Sequence, residues 1–181
     1  METIIAYYSF TGNNETLAKE LQRKLNCDIR KIEEIGQRTN FAILLDMLLN
    51  RPAKIKESKA PITQPANFIF IAPIWMGSVA TPMRTYIKQV KNKIEEYSFI
   101  TVCGGANGGQ SEKIKKQLLQ MVGKEPVTVK ELKVNDLLPF DQKNKIKHTS
   151  EYRIKKIDLE IFKTEIENFI LDVENSVLQI K

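Results

Sequence analysis

The run Thr3-Ile4-Ile5-Ala6-Tyr7-Tyr8-Ser9-Phe10-Thr11-Gly12-Asn13-Asn14-Glu15-Thr16 decides how the rest of the chain is read. Its first six residues are β-branched, aromatic or small, which suits a strand buried on both faces. Leu17, Leu21 and Leu25 then repeat at spacing four, which predicts a helix with one apolar stripe. Between strand and helix, a glycine is surrounded by Ser9, Thr11, Asn13 and Asn14. A helix N-terminus offers unpaired N–H groups and the positive end of its dipole. Hydroxyls and amides beside it add donors, so this turn can nest a phosphate dianion without lysine or arginine. The same residue types are also ordinary N-caps, and Asn13 or Asn14 suits that role equally well. The GxxxxGKS/T and GxGxxG fingerprints of ATP and dinucleotide sites are both missing.

Working outward, residues 27–32 read as a short second strand and 68–72 as a third, continuous and apolar. A fourth spans 99–103 and a last one 127–134. Helices are expected over 85–93 and 111–122. Apolar residues at Ile154, Ile157, Ile161, Phe162, Ile166, Phe169, Ile170, Val173 and Val177 predict one long C-terminal amphipathic helix over about 154–178. Residues 73–83 and 135–150 read as loops. Residues 40–50 are apolar on more than one face and read as a helix stopped at Asn50-Arg51-Pro52. That helix is either packed between sheet and loop, or lines a substrate pocket or a dimer contact. Strand and helix alternate five times, which predicts an α/β fold: a parallel sheet covered on both faces, in a single domain over 1–181.

The 181 residues carry a formal net charge of +6. That balance suggests acidic partners or anionic ligands, but a solvated lysine-rich surface is the favoured reading. The lysines are spread along helices without interleaved aromatics, which argues against nucleic acid as a partner. No apolar run approaches the ~20 residues of a membrane span. The N-terminus lacks the pattern of a signal peptide, so a cytoplasmic protein is expected. Two distant cysteines, Cys27 and Cys103, and one histidine, His148, leave no His/Cys ligand set for a metal site and argue against a disulfide framework. No catalytic acid–base triad is expected.

Two further loops leave strand ends. After the third strand comes Ala72-Pro73-Ile74-Trp75-Met76-Gly77-Ser78, which holds the sole tryptophan. A lone tryptophan usually belongs to a core or interface; at a strand end it can instead cover a planar ligand. After the fourth strand comes the glycine-rich run Gly104-Gly105-Ala106-Asn107-Gly108-Gly109, which lets backbone approach a ligand edge.

Together these loops resemble those of the flavodoxin-like FMN-binding family. Ser9, Thr11, Gly12 and Asn13 match its S-x-T-G-N-T phosphate loop, and Pro73, Trp75 and Gly77 match its Pro-x-Trp-x-Gly flavin loop. The resemblance implies a three-layer doubly wound sandwich with strand order 2-1-3-4-5. It places FMN at the switch point of that sheet, a rule for which flavodoxin is itself the standing illustration. It implies that Ser9, Phe10, Thr11, Gly12, Asn13, Asn14 and Thr16 surround the phosphate. Pro73, Ile74, Trp75, Met76 and Gly77 would flank the ring, with the Met76–Gly77 peptide facing flavin N5. Gly104, Gly105 and Asn107 would approach the pyrimidine side.

The chain departs from the family in four ways. Asn14 stands where the motif has Thr, and Glu15 adds a negative charge that must point away from a phosphate. The third loop lacks the aromatic that commonly stacks on the second face of the ring, which leaves that face to Phe10, to the 40–50 helix or to a second subunit of a homodimer. The chain is basic where flavodoxins are acidic. The implied function is a flavoprotein for electron transfer, either a carrier for a redox partner protein or an NAD(P)H oxidoreductase for a small acceptor such as a quinone. The basic balance, the missing aromatic and the apolar 40–50 helix lean toward the oxidoreductase. A flavin-free binding or regulatory module on the same scaffold is the alternative from another class.

Overall fold

In the computed structural model, residues 2–36, 51–57, 61–105 and 108–179 are described. The expected helix at 40–50 and Asn107 lie outside them.

The opening segment folds as read. Strand β1 is Thr3–Tyr7 and helix α1 is Asn13–Leu25. Strands β2 (Asp28–Lys31), β3 (Ala66–Ile71), β6 (Ile94–Cys103) and β7 (Val129–Lys133) join β1 in one sheet. The order is β2-β1-β3-β6-β7, and every pair is parallel. The short strands β4 (Ile74–Trp75) and β5 (Ser78–Val79) form a separate antiparallel hairpin. With the hairpin set aside, the sheet has the expected 2-1-3-4-5 order.

Side-chain alternation splits the core into two layers. Ile4, Ala6, Phe68, Phe70 and Phe99 face helices α2 (Thr81–Val90) and α3 (Gln110–Val122), through Met83, Ile87, Ile114 and Leu118. Ile5, Tyr7, Ile69, Ile71, Ile100 and Val102 face α1 through Leu17 and Leu21. The same layer takes Ile166, Phe169 and Val173 from the C-terminal helix and Phe162 just before it. All six residues of β3 are buried, as a central strand with both faces covered requires.

Several expected boundaries move. Strand β6 begins at Ile94, because Glu95 and Glu96 lie half-buried in the strand beside β3. Helix α2 begins at Thr81, with Pro82 in its first turn, where a missing N–H costs nothing. The stretch read as a loop from residue 73 holds the hairpin.

The single helix expected from Ile154 is not formed. The Ile154 N–H is donated to Asn13 Oδ1 at 3.0 Å, which commits that residue to an extended path. A short 3-10 turn, Lys156–Glu160, follows, and Asp158 accepts the Lys155 N–H at 2.7 Å. The C-terminal helix then runs over Lys163–Gln179. Two short helices precede that turn, α4 (Val134–Leu137) and α5 (Ile146–Glu151), so the C-terminal helix is α6. Among the described residues no helix is long and apolar enough to cross a membrane, and no cluster of His, Cys, Asp and Glu could hold a metal.

Candidate functional site

The turn after β1 is held by its own backbone. Gly12 sits at φ +91, in the left-handed region that favours glycine, and is the N-cap of α1. Its N–H donates to Ser9 Oγ at 3.1 Å, and its carbonyl accepts the Thr16 N–H at 3.0 Å, the first bond of the helix. The N–H groups of Asn13, Asn14 and Glu15 precede that bond and have no acceptor within the helix. Phe10, Thr11 and Gly12 are exposed, so the turn is open.

The asparagines do not cap α1 and do not offer their amides to the turn. Asn13 Nδ2 donates to the Tyr152 carbonyl at 3.0 Å while its Oδ1 takes the Ile154 N–H. Asn14 Oδ1 accepts the Val102 N–H at 2.9 Å, and its Nδ2 donates to the Val102 carbonyl at 3.3 Å. Both side chains are buried clamps. The Thr16 hydroxyl turns back to the Gly12 carbonyl at 3.3 Å. What these residues offer an anion is backbone N–H, supplemented by the Ser9 and Thr11 hydroxyls.

Glu15 is drawn away from the turn. Its carboxylate meets Lys19 Nζ at 2.7 Å and Lys31 Nζ at 3.6 Å. The hydrogen bond from Lys19 holds it below the usual carboxylate range, with Lys31 adding to the effect. A lowered folded-state pKa means that the stability it confers is present above the ordinary carboxylate value and is lost as pH falls through the lowered one. Glu15→Gln is therefore expected to be less stable than the parent at neutral pH and to converge with it in acid. Thermal melts across that range check this.

The hairpin brings Trp75 to the turn. Its ring lies 6.0 Å from Phe10 and 5.8 Å from Tyr8, perpendicular to both. The Tyr8 hydroxyl donates to Glu34 Oε1 at 2.5 Å, which anchors this aromatic wall. Met76 and Gly77 both have positive φ, +48 and +73, the signature of a type I′ turn. Ile74 packs against the core, and the Pro73 carbonyl accepts the Ala80 N–H at 3.0 Å, closing the hairpin base. A side chain at Gly77 would start 3.0 Å from Lys113 Nζ. Beside this turn, Gly77, Ser78, Lys113, Lys116 and Gln117 line a cleft of about 480 Å³.

The third loop is buttressed from an unexpected side. The Gly104 carbonyl accepts the Asn135 N–H at 3.0 Å. A Cβ at Gly104 would meet Thr149 Oγ1 at 3.1 Å, so α5 lies directly against this loop, with Gly105 beside it. Cys103, at the end of β6, is buried, and burial pushes its thiol up to about 12, which removes it as a nucleophile.

The structure thus gathers Ser9–Asn14, the Trp75 hairpin and Gly104–Gly105 at the C-terminal edge of the sheet. Sequence reasoning missed Tyr8, read only as a strand residue, Asn135 and Thr149, read as irregular chain, and Tyr152, which falls between the expected loop and the expected helix. The last three carry no local spacing signal, since their partners lie far away in sequence.

No family model and no curated protein matches the chain. Solved structures do. A flavoprotein from Lactobacillus acidophilus in complex with FMN is 18% identical, with a TM-score of 0.62 over 72% of this chain and 92% of that one. A protein of Bacteroides eggerthii assigned as a flavoprotein is 16% identical, with a TM-score of 0.61 over 92% of this chain and 98% of that one. A similarly assigned protein of Bacteroides uniformis is 14% identical, with a TM-score of 0.58 over 73% and 90%. The chain therefore has the flavodoxin-like fold of these flavoproteins, a five-stranded parallel sheet in the order 2-1-3-4-5 covered by helices on both faces.

Proposed function

We propose that this chain binds FMN and works as a flavin-dependent redox protein. The observation that carries the reading is the edge-to-face contact of Trp75 with Phe10, which brings the indole to an open, helix-leading turn. The residues present fit the group. The N–H groups of Asn13, Asn14 and Glu15 would hold the phosphate, with the Glu15 carboxylate paired to Lys19 and Lys31. Trp75 would flank the ring, the Met76–Gly77 turn would present its peptide to it, and Gly104 and Gly105 would approach it from the neighbouring loop. FMN, when bound, supplies the acceptance and return of electrons. Tyr8 and Glu34 fix the wall behind Trp75, and the exposed Phe10 and Met76 form an apolar rim that leaves one edge open. That open rim favours electron exchange with another protein. The solved relative from Lactobacillus acidophilus holds FMN, which supports the choice of cofactor.

Titration of the purified chain with FMN is expected to quench flavin fluorescence at one equivalent. Trp75→Ala is expected to weaken affinity by about tenfold, from the loss of ~1–2 kcal/mol of stacking. A protein that stays colourless after FMN is added is a flavin-free module. A second reading, direct reduction by NAD(P)H, rests on the cleft beside Gly77, where Lys113 and Lys116 can meet dinucleotide phosphates. Rapid mixing of the FMN-loaded protein with NADH and NADPH separates the two, since bleaching of the flavin supports the reductase.

A further inference from the structure

The segment that buttresses the candidate site is strongly basic. Residues 140–156 hold Lys143, Lys145, Lys147, Arg153, Lys155 and Lys156 against Asp141 and Glu151, a net +4 where the whole chain carries +6. A second basic run, residues 84–93, carries Arg84, Lys88, Lys91 and Lys93 without an acid; residues 140–156 differ from it in being tied to the candidate site. The segment is stapled to two loops of the site. Asn13 grips Tyr152 and Ile154, Thr149 lies on Gly104, and Asn135 joins the Gly104 carbonyl. Asn135 also fixes the segment internally, accepting the Asn144 N–H at 2.6 Å and donating to Asn144 Oδ1 at 3.1 Å.

Two large apolar side chains stand out among these lysines. Phe140 is 93% exposed and Ile146 is 85% exposed. Lys143, Lys145 and Lys147 have no ion pair among the described residues. Exposed apolar side chains interleaved along the chain with cations that have no ion pair among the described residues make an interaction surface with a definite charge preference.

We infer that residues 140–156 form the docking surface for an acidic redox protein, whose carboxylates meet Lys143, Lys145 and Lys147 while Phe140 and Ile146 seat the contact beside the candidate flavin site. The partner class rests on the flavin reading; the surface does not. Helix α5 has six residues, too short to lay an amphipathic face into a lipid headgroup layer, which favours a protein over a membrane. The attachment to Asn13 and to the Gly104 loop places a docked partner beside the candidate site.

The test uses the full chain with and without FMN, and an acidic plant-type [2Fe–2S] ferredoxin as probe. Calorimetry at low ionic strength is expected to show binding that weakens steeply with salt. Lys143→Glu/Lys145→Glu/Lys147→Glu is expected to weaken it by more than about tenfold and to flatten the salt dependence. Lys54→Glu/Lys88→Glu/Lys91→Glu, an equal charge change elsewhere, is expected to cost less than about threefold, in line with a merely long-range effect. Phe140→Ser/Ile146→Ser is expected to lower affinity with the salt slope unchanged. Equal losses in the two charge variants, or no ferredoxin binding at low salt, overturn the inference. So does co-sedimentation with phosphatidylserine vesicles in the absence of ferredoxin binding. FMN titration is scored separately: ferredoxin binding through this surface by a chain that takes up no FMN retains the surface and ends the flavin reading. FMN uptake without ferredoxin binding does the reverse.

Discussion

Gly12→Asp is expected to lose about a hundredfold in FMN affinity, while Gly12→Asn loses less than about tenfold. Both variants place a side chain at φ +91, and both incur the ~1–2 kcal/mol strain of a left-handed backbone, somewhat relieved for these two residue types. Neither meets a steric obstacle, since a Cβ at Gly12 has nothing within 4 Å. They differ in charge alone. A carboxylate at the N-cap stabilises an empty helix end through the dipole, so the aspartate variant is not expected to unfold. It does compete for the N–H groups at the start of α1 and sets a negative charge a few ångströms from where a phosphate dianion would sit. At that separation each charge pair contributes on the order of 1–4 kcal/mol, depending on local screening. Raising the salt should recover part of the aspartate loss and none of the asparagine loss. Equal affinities for the two variants would mean that no phosphate sits on this turn.

Why that turn could be read from the sequence, and its neighbours could not, comes down to the range of the interactions. Thr3 to Leu25 announces strand, turn and helix through periods of two and four, which are local properties of the backbone. Trp75 at a strand end is expected at the switch point with the Ser9–Asn14 turn, and parallel order brings the ends of β1 and β3, and with them Phe10 and Trp75, to one edge. The roles of Asn13 and Asn14 were misread. The sequence shows polar amides near a helix start, and capping or ligand donation is the local use of such residues. Their actual partners are Val102, Tyr152 and Ile154, 88 to 141 positions away. The same contact explains the C-terminal error. The apolar pattern from Ile154 to Val177 suits a helix, yet the Asn13 amide captures Ile154, a short 3-10 turn follows over Lys156–Glu160, and the helix starts only at Lys163. A tertiary hydrogen bond to a buried amide outweighs a periodicity worth only tenths of a kcal/mol per residue.

Asn14 sets up the second large effect. Strand β3 pairs with β6 only as far as Ile71 and Ile100, then leaves for the Trp75 hairpin. The next residue of β6 to face that side is Val102, and β3 has no backbone left to offer it. The Asn14 amide takes the place of the missing strand, with its oxygen on the Val102 N–H and its nitrogen on the Val102 carbonyl, at 3% exposure. Asn14→Ala strands both backbone groups in the interior. Each unpaired group costs about 1–3 kcal/mol, for a combined loss of about 3 kcal/mol. In a chain of this size that is a fall in Tm of about 10 °C. Asn14→Thr, which restores the residue of the family motif, separates structure from binding. Its short hydroxyl satisfies at most one of the two Val102 groups, so stability is expected to fall by about 2 kcal/mol. The same hydroxyl can turn to the Gly12 turn and add a donor there, so FMN affinity is expected to rise a few-fold, on the order of one neutral hydrogen bond. Thermal melts and FMN titrations of the two variants give both quantities. If Asn14→Thr lost affinity in proportion to stability, Asn14 would be holding the phosphate turn in shape; opposite movement of the two would mean that this chain has given up one phosphate donor to bind the end of β6 to α1.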